Sequence, residues 1–420
     1  MRTLITHAKA LVGTHPQGLL RVPGRSMKDL PQVADAWLLV ENGRIKAFGP
    51  MSGIEAAGTG HEQVIDATDR YVLPGWVDPH THVIFAAPRD REFVDRIRGL
   101  SYQEIAARGG GILNSALALR GMDAEALYVQ ARVRLEEMMR QGTVAVEIKS
   151  GYGLTRESEL KMLRVARRLQ KDLPLQVRTT LLAAHSLPPE FADDRSAYID
   201  MIVNELLPQV AAEGLADHVD AFCETNYFTV AEMERLLAAG AEHGLPGKVH
   251  VNQFTAIGGI GAAVRHGALS VDHLEVMDPA DLDALEGAAT IPTLLPSCSF
   301  FLGIPFGPAR EMMDRDLAVA LATDHNPGST PSGNMNFVFS LACIKLRMLP
   351  EEAINAMTLN AAAALGLSGE LGSITVGKRA SLIITGKVPS LAYLPYAFGS
   401  DNIDTVLIDG RTVRTGTAVT

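Results

Sequence analysis

His80 and His82, in the run YVLPGWVDPHTHVIF (71–85), stand two residues apart in an apolar stretch. In an extended backbone such a pair projects to one face while Thr81 points to the other. Two imidazoles so placed can grip one divalent ion, and neutral imidazole suits zinc, iron or nickel. The other candidates close later apolar runs. His250, in GLPGKVHVNQF, alone reads as readily as a core histidine; beside the His80/His82 pair it becomes the third nitrogen. Asp324 ends the run LAVALATD, where a bare carboxylate is too costly to bury and must be paired, hydrogen-bonded or metal-bound. It can supply an oxygen ligand and exchange a proton with water. His273, in SVDHLEV, reads either as a group that polarises a carbonyl or assists proton transfer, or as a structural histidine. One ion on three histidines and an aspartate would lower the pKa of bound water and equip the chain to hydrolyse an amide, amidine or ring C–N bond. Iron enzymes that use oxygen favour two histidines and one carboxylate, and no G-x-S-x-G elbow supports serine catalysis.

The elements that must carry these groups alternate. Apolar β-type runs at 143–150, 177–186, 218–225, 247–254, 268–276, 289–297 and 317–324, with HTHVIF before them, make about eight strands. Amphipathic stretches such as AEALYVQARVRLEEMMRQG, ESELKMLRVARRLQKD and VAEMERLLAAGAEHG lie between them. Repeated β–α alternation implies a parallel sheet, and the economical reading is an α/β fold of the (β/α)8 TIM-like barrel type, with catalytic groups at the carboxyl ends of its strands. A doubly wound sheet is the alternative, but no G-x-G-x-x-G follows a strand. Both chain ends read differently. WLLVENGRIKAFGP is a hairpin about Asn42-Gly43, and DTVLIDGRTVRTG is another about Asp409-Gly410. With no helical periodicity at either end, 1–72 and 371–420 are expected to form one composite β-sandwich domain around a barrel of 73–370.

Length and composition bound the rest. A chain of 420 residues, 47% hydrophobic, with 38 Gly and 22 Pro, fits a well-packed, loop-rich enzyme. A net charge of -10 without a basic stripe argues against nucleic acid but not against a small anion held by one arginine. Cys223, Cys298 and Cys343 form no Cys-x-x-Cys pair and read as buried thiols in a reducing compartment. No run is long and apolar enough for a signal peptide or membrane span. The expectation is a cytoplasmic enzyme with a small-molecule substrate, and a homodimer is a possible assembly.

At these residues the chain resembles the metal-dependent amidohydrolase superfamily, and within it the imidazolonepropionase family of histidine degradation. The resemblance spans nearly the whole chain. It rests on VDPHTH, SYQEIAARGGGI (101–112), EIKSGYGL (147–154), AAHSLPPEF, LADHVDAFCE, LSVDHLE and LATDHNPGSTPS (321–332), with KSGYG and DHNPGS together the most specific. It implies one zinc or iron ion on His80, His82, His250 and Asp324, and hydrolysis of 4-imidazolone-5-propanoate to N-formimidoyl-L-glutamate. Another cyclic-amide or amidine hydrolase, or a deaminase, of the same superfamily is the alternative.

The resemblance also implies substrate contacts at Arg89, Tyr152, His185, Gln253, Asn326, Gly328 and Ser329. A guanidinium fork at Arg89 suits a propionate, with Arg91 its rival. Tyr152 and Tyr102 could cover a flat ring, and the Asn326–Ser329 turn could cradle a carboxylate. Two departures stand out. Ala86-Ala87-Pro88 precede Arg89 where paired glycines are common, and residue 253 is Gln where some members carry Glu. An amide cannot take a proton, so Gln253 is left to orient, Asp324 is the expected base, and His273 assists. Lys149 is read as supporting the site rather than bridging two ions.

Overall fold

The structure is a computed structural model that describes residues 2–100, 104 and 110–416. Its first sheet joins the two ends of the chain. β1 (Arg2–Val12), β2 (Gln32–Glu41), β3 (Arg44–Pro50), β4 (Gln63–Asp66) and β5 (Tyr71–Pro74) meet β14 (Leu382–Thr385), β15 (Ile403–Ile408) and β16 (Arg411–Arg414) in the order β16-β15-β14-β5-β1-β2-β3, with β4 beside β1. Both expected hairpins form, with Asn42, Gly43, Asp409 and Gly410 all at positive φ. That is the backbone a two-residue hairpin turn demands. Ile5, Leu11, Leu38, Val40, Val72, Leu382, Ile384 and Leu407 share one buried cluster. They come from five strands spread across the sheet, so it wraps around its own core. The ends are not free of helix: short 3-10 turns occupy Gly24–Lys28 and Met51–Ala57, and a one-turn helix occupies Tyr393–Tyr396.

The second sheet is parallel. β6 (Trp76–Asp78), β7 (Thr143–Lys149), β8 (Gln176–Ala184), β9 (His218–Cys223), β10 (Lys248–Val251), β11 (Ser270–His273), β12 (Ile291–Leu294) and β13 (Ala320–Leu321) pair in chain order. The ring closes where Thr81 bridges His325; His82 N donates to His325 O at 2.9 Å and Asp324 N to His80 O at 3.1 Å. The three amphipathic stretches form the helices Ala124–Arg140, Arg156–Asp172 and Val230–Glu242, begun by the caps Asp123, Thr155 and Thr229. Each strand-like run is trimmed at its carboxyl end, where the chain leaves the ladder to present side chains. The expected strand HTHVIF is displaced altogether. The ladder stops at Asp78 because Pro79 has no N–H to donate, and His80 and His82 stand on the segment just beyond.

Candidate metal centre and active site

Two imidazoles past the end of β6, one within β10 and the carboxylate three residues past β13 converge at one mouth of the barrel. His80 Nε2 and His82 Nε2 lie 3.6 and 3.7 Å from Asp324 Oδ1, and His250 Nε2 lies 3.3 Å from His82 Nε2. All four side chains are buried. His80 Nδ1 faces Asp272 Oδ2 at 2.8 Å and His250 Nδ1 faces Asp220 Oδ2 at 2.8 Å. Each Nδ1 therefore carries the proton and each Nε2 turns a lone pair inward. His80 Nε2 is buried with no hydrogen-bond partner. Its inward lone pair and the Asp324 carboxylate 3.6 Å away repel one another unless a cation sits between them. Ligands about 2.0–2.1 Å from a tetrahedral zinc ion are about 3.3–3.4 Å apart, close to the spacings seen. The donor set fits one metal ion. Burial also drives the pKa of His80, His82 and His250 well below the usual imidazole value, leaving them neutral.

Beneath them lies a buried charge cluster. Lys149 Nζ stands 2.8 Å from Asp220 Oδ2, 2.9 Å from Glu147 Oε2 and 3.6 Å from Asp272 Oδ2; Lys248 Nζ donates to Ser270 Oγ at 2.6 Å and approaches Glu147 and Asp272 at 3.8 and 3.7 Å. The carboxylates that orient His80 and His250 are thus themselves held by two ammonium groups, an arrangement that fixes ring position and ligand basicity. Burial works against the Lys149 charge, but its three carboxylates outweigh it and raise its pKa. An ammonium so committed is a structural cation, as expected of Lys149. Asp220, Asp272, Glu147 and Lys248 were missed in the sequence reading. Their signal was a charge inside an otherwise apolar strand, which must have a partner.

Around the centre stand the remaining candidates. His273 follows the same pattern as its neighbours, with Nδ1 3.5 Å from Glu275 Oε1. Burial opposes its imidazolium, the Glu275 charge favours it, and the pKa ends up raised. Burial likewise raises that of Asp324. His185 stacks on His82 with centroids 5.2 Å apart, its Nδ1 donating to Gly151 O at 2.9 Å, and Tyr152 lies 5.5 Å from His185 and 5.8 Å from His82. The loop bearing Tyr152 is held by the buried Glu159 carboxylate, which accepts from Gly151 N (3.0 Å), Gly153 N and Leu154 N (both 2.8 Å). Gly151 has φ +103, and a Cβ there would meet His185 Nδ1 at 2.9 Å. Gln253 donates its amide to the thiol of Cys298 at 3.4 Å. Asn252, His273, Leu274 and Asp324 all have positive φ, a cost that clusters at functional sites.

The Asn326–Ser329 turn is braced from within. Asn326 Oδ1 accepts from Gly328 N (2.7 Å) and Ser329 N (2.8 Å), while Ser329 Oγ donates to Asp324 Oδ2 (3.0 Å). The two amides expected to cradle a carboxylate are thus engaged by Asn326, and two guanidinium groups meet the turn: Arg96, whose Nη2 donates to Gly328 O at 2.8 Å, and Arg89. The Arg89 side chain is 7% exposed and donates through Nη2 to Glu92 Oε2 at 2.5 Å. It lies flush on Gly328, where a Cβ would fall 2.9 Å from Cζ and closer still to Nη1. Arg91, the rival, is exposed. Glu92, Glu159 and Glu275, and the place of Cys298 beside Gln253, were not anticipated, because partners made across loops leave no periodic trace. Tyr102 and most of SYQEIAARGGGI lie outside the described residues. Cys223 and Cys298 are buried as expected, whereas Cys343 is only half-buried.

Comparison with known proteins agrees with this geometry. The model of the amidohydrolase family matches residues 71–413. A protein of Christiangramia forsetii named imidazolonepropionase is 54% identical, the alignment covering 98% of this chain and 100% of that protein; one of Flavobacterium johnsoniae with the same name is 52% identical at the same coverage. Among solved structures, an adenosine deaminase from Xanthomonas campestris with bound zinc has a TM-score of 0.72 at 17% identity, over 98% of this chain and 93% of its own. An E. coli guanine deaminase has 0.74 at 14%, over 99% and 100%. At such low identity those two structures share the barrel architecture alone. The chain belongs to the amidohydrolase family, on the branch that carries its imidazolonepropionase relatives.

Proposed function

We propose that this chain hydrolyses the ring of 4-imidazolone-5-propanoate to N-formimidoyl-L-glutamate. The observation that carries the reading is the convergence of three imidazole Nε2 atoms and Asp324 beside an arginine seated on Asp324's own turn. Membership of the amidohydrolase family implies a metal cofactor, and His80, His82, His250 and Asp324 would hold one zinc or iron ion per chain. Such an ion supplies Lewis-acid polarisation of the water and of the carbonyl under attack.

The chain's own groups do the rest. Arg89 offers its guanidinium to the propionate, with Glu92 holding the fork in place. Tyr152 and His185 enclose the ring, and Gln253 orients it. Asp324 Oδ takes the proton of the attacking water as the O–C bond forms at the ring carbonyl. His273 stabilises the oxygen that gains charge. The C–N bond of the lactam then breaks, and the proton on Asp324 passes to the departing amidine nitrogen. Water is consumed and no net proton transfer to the protein remains. The free thiols suit a reducing cytoplasm; among the described residues, no helix is long and apolar enough to cross a membrane.

The test is incubation with freshly generated imidazolone propionate, following loss of its ultraviolet absorption, beside hydantoins and cytosine. Turnover of the imidazolone alone is expected. Turnover of cytosine or a hydantoin with no attack on the imidazolone would overturn the assignment in favour of a deaminase or another cyclic-amide hydrolase.

A further inference from the structure

Cys298 lies in the helix Pro296–Leu302 and is fully buried. Its Sγ, a ring nitrogen of His273 and a carboxylate oxygen of Asp324 all lie within 4.8 Å of one another. Among the described residues, no other cysteine joins such a group. His273 is built like the histidines of the proposed centre, with Glu275 behind its Nδ1 as Asp272 stands behind His80 and Asp220 behind His250. A carboxylate so placed turns Nε2 inward and is the usual support of a metal-ligating imidazole. Ser299 Oγ donates to Glu275 Oε1 at 3.2 Å, while Glu275 Oε2, buried without a hydrogen-bond partner, faces His273 Nδ1 at 3.5 Å. The Asp324 oxygens face different ways: Oδ1 towards His80 and His82, Oδ2 towards Ser329.

We propose that His273, Cys298 and Asp324 form a second metal site, for thiophilic divalent ions such as cadmium or excess zinc, that shares the Asp324 carboxylate with the first centre and inhibits the enzyme when filled. One thiolate, one imidazole and one carboxylate oxygen make a borderline-soft donor set that leaves a fourth position for water. Tetrahedral coordination needs the three atoms about 3.5 Å apart, so from within 4.8 Å side-chain rotations that close them by up to about 1.3 Å suffice. A carboxylate offering one oxygen to each side bridges ions about 3.5–4 Å apart. Binding releases the thiol proton to solvent, with no redox change. Filling the site takes His273 out of use and ties up both oxygens of Asp324, so it blocks turnover whichever ring the enzyme opens.

The test uses the protein loaded with one zinc ion per chain and titrated with cadmium chloride, following the ultraviolet cadmium–thiolate charge-transfer band, bound metal after dialysis, and turnover relative to each variant's own cadmium-free value. The expected result is a second ion per chain, a thiolate band that saturates with it, and parallel loss of turnover. Cys298→Ser should abolish the band and weaken the second ion by about tenfold or more, with the first ion retained; Cys343→Ser should change neither. No band at saturating cadmium, a band that survives Cys298→Ser, or a band without inhibition each overturns the proposal. Should Cys298→Ser fail to fold, cadmium NMR of the unaltered zinc-loaded protein decides: a cadmium resonance shifted downfield by sulfur supports the site, and nitrogen- and oxygen-ligated signals alone refute it. The thiolate band and the bound metal are read without substrate, so the site can be refuted while the proposed activity stands, and confirmed as a metal site while that activity fails.

Discussion

Gly328→Ala isolates the carboxylate grip from the rest of the site. Gly328 is not among the glycines at positive φ, so alanine is permitted by the backbone. The added Cβ would fall 2.9 Å from Arg89 Cζ and closer to Nη1, inside the 3.4–4 Å of ordinary contact. The guanidinium must therefore retreat by about 1 Å, since repulsion rises steeply inside contact distance. That misaligns its fork on the propionate. A hydrogen bond to a charged group contributes about 1.5–3 kcal/mol, and each 1.4 kcal/mol is about tenfold in binding. The expected loss is therefore about 10- to 100-fold in kcat/KM, mostly through KM. Stability should shift little, within about 1 kcal/mol, because losing a glycine also restricts the unfolded chain. The assay is steady-state turnover of imidazolone propionate and of an imidazolone bearing methyl in place of the propionate, beside thermal denaturation. Equal losses on the two substrates, or an unchanged KM for the first, would refute carboxylate recognition by Arg89.

Asp324→Asn should remove base and ligand together, abolishing turnover and lowering bound metal below about one ion per chain; full activity in a metal-free preparation would contradict both roles. Lys149→Met strips the ammonium from between Glu147, Asp220 and Asp272. Breaking a buried pair from one side costs about 3–5 kcal/mol, so the urea midpoint should fall markedly; an unmoved midpoint would show the cluster to be energetically neutral. Lys378 offers a pH test away from the centre. Burial holds its pKa down at about 8 against 10.5 for the free side chain, although Glu370 pulls the other way. Between those values the unfolded chain binds a proton that the folded chain does not. Stability from this group is therefore complete above 10.5 and lost as pH falls through 8. Lys378→Met should flatten that rise in the stability profile; parallel profiles for the two proteins would sink the assignment.

The sequence alone determined the architecture and the chemical character of the centre. Strand and helix periods are local, so β–α alternation, both hairpins and the helix caps were legible. A histidine or aspartate closing an apolar run is also local, and the barrel then requires such ends to meet at one face. That is how His80, His82, His250 and Asp324 could be named together although far apart in the chain. Tertiary structure decided everything that depends on one segment touching another. It placed the first two histidines beyond their strand rather than within it, since closure through Thr81 and His325 sets that register. It chose Arg89 over Arg91, gave Asp220 and Asp272 to the ring nitrogens and Lys149 to both, and brought Cys298 beside Asp324. The physical reason is that a buried charge announces its need for a partner in its own strand, whereas the partner's identity is fixed only when distant strands share one interior.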